Sequence, residues 1–247
     1  MLEIKRLCVA YRRHPVLQSL SFTARPGEIT LLLGQNGCGK STLLHTVMGE
    51  IPADGEILLN GVSLSSLPPR ARAAQISLLP QQLPAPAQTV RETVAMGLAP
   101  HVLRLGDAEW QKVEEKLALL GIAPLADRLT STLSGGERQK VFLALLLVQD
   151  TPVLLLDEPA TYTDAPFTAL LFDTLRAERD KGKTVLAVMH DVGAALELAD
   201  RIIVLESGSV AFNGTPAEAL AGEVPEKHFG LTRYTAERDG KTAYFFR

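Results

Sequence analysis

Gly34-Gln35-Asn36-Gly37-Cys38-Gly39-Lys40-Ser41-Thr42 follows the apolar run Ile29-Thr30-Leu31-Leu32-Leu33 and leads into a stretch of helical character from Ser41 to Met48. It fits the phosphate-binding pattern G-x-x-x-x-G-K-[ST], in the strand, turn and helix order that the chemistry needs. Glycines carry no Cβ, tolerate positive φ and let backbone wrap closely around an anion. Loop N–H groups and the amino end of the following helix then face phosphate oxygens. Lys40 is placed for the β- and γ-phosphates of a nucleotide and Ser41 for Mg²⁺. An ordinary Gly-rich turn shares the glycines but has no need of the strand before, the helix after, or the Lys-Ser pair.

A second nucleotide signal lies at Val153-Leu154-Leu155-Leu156-Asp157-Glu158-Pro159. Four apolar residues read as a buried strand with two carboxylates at its carboxy end, the edge where parallel sheets bind ligands. Asp157 suits Mg²⁺, through water, and Glu158 suits an attacking water. A buried strand followed by an acidic helix cap has the same appearance, and the phosphate loop favours the functional reading.

Outward from these runs, strands are expected at Leu2–Val9, Leu20–Ala24 and Glu28–Leu33, with a turn at Arg25-Pro26-Gly27. A hairpin-like segment spans Gly55–Gly61, and a strand at Ile76–Leu79 ends at Pro80-Gln81-Gln82. Beyond the connector Leu83-Pro84-Ala85-Pro86 the spacing turns helical: Val90–Gly97, Asp107–Leu120 and Ser134–Gln149. Asp107 is expected as an N-cap and Gly121 as a helix stop. Strands at Val153–Leu156, Thr184–Met189 and Ile202–Leu205 alternate with helices at Pro166–Asp180 and Val192–Leu198, a doubly wound α/β pattern. The tail from about Glu223 ends in a hairpin around Asp239-Gly240.

The chain has 247 residues, 46% of them hydrophobic, with formal charge −3. That suits one large domain and gives no basic footprint for nucleic acid. The longest nearly apolar run, Val141–Val148, is far short of the roughly 18–20 residues that span a bilayer. The amino terminus lacks the apolar stretch of a signal peptide. Cys8 and Cys38 do not make a disulfide framework. A soluble cytoplasmic protein is expected, whose membrane spans, if a membrane is involved, come from another chain.

Leu133-Ser134-Gly135-Gly136-Glu137-Arg138-Gln139 opens a helix shortly before Val153. Its glycines allow close backbone approach, and Ser134 offers a hydroxyl where a helix favours anions. Ser134 with Glu137 also fits a capping box, and both readings can hold together. The heptapeptide resembles the signature motif of ABC ATPases, and with the phosphate loop and acidic strand the resemblance covers nearly the whole chain. It implies an α/β fold: a P-loop NTPase core of ABC ATPase type, with an antiparallel β subdomain and an inserted helical subdomain. The core comprises 1–82 and 151–247, and the insertion 83–150.

The resemblance also implies roles by position. Lys40, Gln81, Glu158 and His190 are the catalytic set. Ser41, Gln81 and Asp157 hold Mg²⁺. Gly34, Asn36, Gly37, Cys38, Gly39, Ser41 and Thr42 bind the phosphates of ATP, and Tyr11 resembles the aromatic that stacks on adenine. A tyrosine packed at a strand end competes with that reading. Ser134, Gly135 and Gly136 serve the nucleotide of the opposite subunit, and Asp164 helps join the two sites, so a head-to-tail homodimer is implied. Two positions depart from the family pattern. Cys38 stands where Ser or Ala is common, and is expected to be a reactive thiol because loop N–H groups and Lys40 favour thiolate. Thr161-Tyr162-Thr163-Asp164 stands where Ser-Ala-Leu-Asp is usual.

Leu78–Gln82, Thr89–Val94, Gly97–His101 and Glu226–Leu231 are similar to the importer branch for iron-siderophore, haem and cobalamin. That similarity implies an ATPase at the cytoplasmic face of the membrane, held by transmembrane permease subunits, with an external solute-binding protein as indirect partner. Ferric siderophore is the favoured cargo. A soluble ABC ATPase uncoupled from transport, acting on DNA or the ribosome or in cluster assembly, stays open as the alternative.

Overall fold

Strands buried on both faces need apolar residues in unbroken runs, which is how Ile29–Leu33 and Val153–Leu156 read. In the computed structural model both lie at the centre of a parallel sheet. The structure describes residues 1–12, 14–160, 164–238 and 241–247, without the side chains of 237–243.

In chain order the elements begin with strands β1 (Leu2–Tyr11), β2 (His14–Ala24) and β3 (Glu28–Gly34), then helix α1 (Lys40–Met48). Strands β4 (Asp54–Leu59) and β5 (Val62–Ser63), the short helix α2 (Pro69–Ala73) and strand β6 (Ile76–Leu79) follow. The helices α3 (Val90–Ala95), α4 (Asp107–Leu119) and α5 (Gly135–Val148) come next. Strand β7 (Val153–Asp157), helix α6 (Ala165–Asp180), strand β8 (Thr184–Val188), helix α7 (Val192–Leu198) and strands β9 (Arg201–Glu206) and β10 (Ser209–Gly214) complete the alternating part. The tail holds helices α8 (Pro216–Ala221) and α9 (Val224–Phe229) and strands β11 (Arg233–Arg238) and β12 (Lys241–Phe246).

Among the described residues a six-stranded sheet runs β10-β9-β3-β8-β7-β6 and a four-stranded sheet runs β2-β1-β4-β5. The first is parallel except for its β10 edge, and the second is antiparallel throughout. Strand alternation splits the core in two. Ile29, Leu31 and Leu33 share one apolar core with Leu171 and Leu175 of α6 and Ala195 of α7, and that core runs on to Val94, Val113 and Leu147 of α3, α4 and α5. Leu32 faces the other way, with Leu43, Leu44 and Val47 of α1 and with β1 and β2. The helices α3 to α5 enter the chain between β6 and β7 and pack on one another, α5 reaching the edge strand β6, while α6 and α7 cover this face at β3 and β8.

Order and direction of the strands gather the motifs. With β3, β8, β7 and β6 side by side and parallel, their carboxy ends open on one edge. The phosphate loop, His190, Asp157-Glu158 and Gln81 leave those four strands.

Two local expectations are revised. β2 begins at His14 rather than Leu20, its amino half mostly exposed apart from Leu17 and held by pairing with β1. Asp107 is the first residue of α4, not its cap. The cap is Gly106, whose N–H donates to the Glu109 carboxylate at 3.1 Å. The hairpin expected around Asp239-Gly240 has its strands in β11 and β12, and the two turn residues lie outside the described set.

Candidate functional site: a phosphate cradle at the sheet edge

The loop after β3 turns through Gly34 and Gly39, with φ of 151° and 104°. A Cβ at Gly39 would meet Leu17 Cδ2 at 2.6 Å, and one at Gly34 the Leu205 carbonyl at 2.4 Å. Both space and conformation therefore require glycine there. α1 then starts with no side-chain cap and no acidic residue in its first turn. Its leading N–H groups are left for an anion, unlike those of α3, α5 and α8, which carry capping boxes. Lys40, 6% exposed, donates from Nζ to the carbonyls of Gly34 at 2.7 Å and Gln35 at 3.0 Å.

A cavity of about 560 Å³ opens over this loop. Its floor is Asn36, Gly37, Gly39, Lys40, Ser41 and Thr42, and its wall is Gln81, Glu158 and His190. Glu158 is 9% exposed and both its oxygens are engaged. Oε2 accepts from Gln81 Nε2 at 2.7 Å, and Oε1 is bonded to His190 Nε2. The Glu158 backbone is left-handed, with φ 53°, and its N–H reaches the Val188 carbonyl at 3.2 Å. Such a conformation in a non-glycine residue is a strained feature found where function over-determines it. Nothing in the Asp-Glu-Pro sequence announces it.

Asp157 ends β7, with the Ser41 hydroxyl near enough to act on its carboxyl. Burial pushes its carboxyl up from the ordinary value, the Ser41 bond opposes that, and the Glu158 charge adds to it. Asp157 Oδ1 is buried with no hydrogen-bond partner. A hard hydroxyl and carboxylate donor pair with an unsatisfied oxygen, beside a phosphate cradle, fits Mg²⁺. Mg²⁺ held there would supply positive charge against phosphate oxygens.

Other expected residues lie apart from this cavity. Gly34 and Cys38 are on the loop's far side, lining a second cavity of about 260 Å³ with Leu205 and Phe229. Burial pushes the Cys38 thiol up, and the nearby Lys40 charge only partly offsets it. The expectation of a reactive thiolate is therefore corrected: desolvation outweighs the loop's positive field. Tyr11 ends β1, half exposed and paired with His14. Ser134 caps α5, its hydroxyl accepting from Glu137 N–H at 3.3 Å while Ser134 N–H donates to the Glu137 carboxylate at 2.9 Å. The Ser134 bonds hold the Glu137 carboxyl below its usual range. Ser134, Gly135 and Gly136 are exposed, with open space around both glycines. Asp164 caps α6, its Oδ1 accepting from Phe167 N–H at 2.9 Å. Thr161-Tyr162-Thr163 lie outside the described residues.

Comparison with known proteins agrees with the geometry. Residues 17–161 match the family model described as ABC transporter. The ferric enterobactin transport ATP-binding protein FepC of Escherichia coli (strain K12) is 36% identical over 92% of this chain and 86% of its own length. The hemin import ATP-binding protein HmuV of Gloeobacter violaceus is 40% identical, over 87% of this chain and 82% of its own length. A solved ATP-binding subunit of an ABC transporter superposes with a TM-score of 0.82 at 24% identity, covering 93% of each chain.

Proposed function

The chain belongs to the ABC transporter family, and from that membership we propose that it is the ATP-hydrolysing subunit of a bacterial importer. The observation that carries the reading is the meeting of Lys40, Gln81, Glu158 and His190 at one cavity over an uncapped helix start. ATP binds with its phosphates on the loop N–H groups and Lys40. Ser41 and Asp157 would hold Mg²⁺, with Gln81 of the cavity wall as a further ligand. Glu158 orients or deprotonates the water that attacks the γ-phosphate in line. His190 and Lys40 meet the charge that develops, since positioning and charge stabilisation dominate phosphoryl transfer.

A second copy completes each site. The Ser134–Gly136 helix start is exposed and does not line its own phosphate cavity, so it serves the nucleotide of a head-to-tail partner. Asp164 helps join the two sites, and Tyr11 receives the adenine. The core of 1–82 and 151–247 closes on nucleotide while the insertion of 83–150 transmits the movement.

Among the described residues no helix is long and apolar enough to cross a membrane. The α3–α4 connection carries an apolar cleft of about 350 Å³, walled by Ala95, Met96, Val102, Leu103, Leu105 and Trp110. We assign this cleft to an amphipathic helix of the permease, which holds the subunit at the cytoplasmic face. The relatives are named for ferric enterobactin and hemin transport. Ferric siderophore is the favoured cargo, delivered by an external solute-binding protein, with haem and cobalamin as related candidates. No observation favours a soluble ATPase uncoupled from transport. Affinity isolation of the tagged chain from its native membranes tests the reading. A polytopic permease should come with it, and recovery in the soluble fraction alone would count against import.

A further inference from the structure

One side chain joins the signature helix to the carboxylate on which hydrolysis depends. Gln139 lies half-buried on α5, and its side-chain amide donates to the Pro159 carbonyl at 2.8 Å. Pro159 is buried and directly follows Glu158. It has no N–H of its own, so its carbonyl is the backbone group by which this turn can be held. On the other side of the turn, Glu158 N–H is held by the Val188 carbonyl at 3.2 Å. Between these two anchors the Glu158 backbone keeps its left-handed φ of 53°. The side chain is thereby aimed at the cavity, where Gln81 and His190 meet it.

We propose that Gln139 is a positioning residue for ATP hydrolysis. It fixes the turn that presents Glu158, and ties that turn to the helix whose amino end serves the partner's nucleotide. The inference rests on the roles proposed above for Glu158 and Ser134. Pressure on Ser134–Gly136 from one nucleotide is carried down α5 and through the Gln139 amide to the carboxylate acting on the other nucleotide. Loss of the bond leaves the phosphate loop untouched, because neither Lys40 nor Ser41 depends on it. The effect therefore falls on turnover and not on nucleotide affinity.

The test measures kcat and KM for ATP on the full chain, with melting temperature alongside. Gln139→Met keeps the volume and removes the donor, and Gln139→Glu keeps the shape and removes the donor. Gln139→Lys keeps both reach and donor. Met and Glu should each lower kcat by about tenfold or more with KM within about threefold, whereas Lys should stay within about threefold of wild type. Either the Met or the Glu variant suffices if the other does not fold. Turnover within about twofold of wild type in a folded Met or Glu variant overturns the proposal. So does a loss confined to KM, or a Lys variant that falls as far as the others. An inactive wild type removes the Glu158 assignment and this inference together, and is thereby distinguished from failure of the Gln139 role alone.

Discussion

The His190 imidazole and the Glu158 carboxylate are hydrogen-bonded across the mouth of the phosphate cavity, 32 residues apart in sequence. They meet because β7 and β8 are parallel neighbours, with Asp157 in register with Val188. Gln81 completes the arrangement from β6, on the far side of β7. The carboxylate is therefore held by a partner on each oxygen.

Glu158→Gln should keep the shape of the site and remove the charge. We predict at least a hundredfold loss of turnover, about 2.7 kcal/mol in the barrier, with ATP affinity kept. An ATP-bound dimer should accumulate in this variant and be visible by size-exclusion chromatography with ATP. Rapid turnover by the variant would remove Glu158 from its role.

Lys40→Ala should act on binding. The ammonium rests on the Gly34 and Gln35 carbonyls and has only to turn towards phosphate. Charge-assisted bonds of this kind contribute roughly 1.5–3 kcal/mol, so nucleotide affinity should fall by about ten- to a hundredfold. Titration with a fluorescent ATP analogue reads this directly, and unchanged affinity would contradict the placement of the γ-phosphate.

Acid should loosen the opposite end of the sheet. Glu178 is 4% exposed and takes Lys183 at 2.7 Å and Lys181 at 2.6 Å. Burial pushes its carboxyl up, but the two lysine bonds outweigh burial and hold it below the ordinary value. A depressed carboxyl contributes stability that is complete above its unfolded value, near 4.3, and is lost as pH falls through the lower folded one. Lys183→Met should cost about 3 kcal/mol at pH 7, since Lys181 still pairs with Glu178. The gap to wild type should shrink below about pH 4. Urea denaturation at both pH values measures it, and a gap independent of pH would contradict the pairing.

Cys38 should react slowly. Burial raises its thiol and the side chain faces the cavity behind the loop, not the nucleotide. In a Cys8→Ser background, alkylation at pH 7.5 should run several-fold slower than for a free thiol, with pKa near 8.5. Cys38→Ala should bind ATP within about threefold of wild type, because backbone N–H groups do the binding. Fast alkylation at neutral pH would restore the reactive-thiolate reading.

Sequence made the sheet centre and the phosphate loop legible, because Ile29–Leu33 and Val153–Leu156 are apolar runs bounded by chemistry-bearing residues. Ile76–Leu79 and Val192–Leu198 are found at their expected bounds. Polar outer strands were harder. The outer half of β2 is set by pairing with β1 and by solvent on one side, so its amino half carries little apolar signal. Gly106 caps α4 through Glu109, although Asp107 has the more usual capping side chain. The left-handed Glu158 and the bond from Gln139 to Pro159 arise from tertiary packing and leave no local pattern. At Cys38 the neighbouring charge is visible in sequence and the opposing burial of the thiol is not.

The claim that two copies share each ATP site is tested most directly by mixing two inactive variants. Lys40→Ala disables the phosphate loop, and Ser134→Arg blocks the helix start that serves the partner. Equal mixing leaves one intact composite site in each mixed dimer, about a quarter of wild-type sites in total. The account predicts that phosphate release recovers towards that quarter. A mixture that stays at the level of its two parents would contradict it.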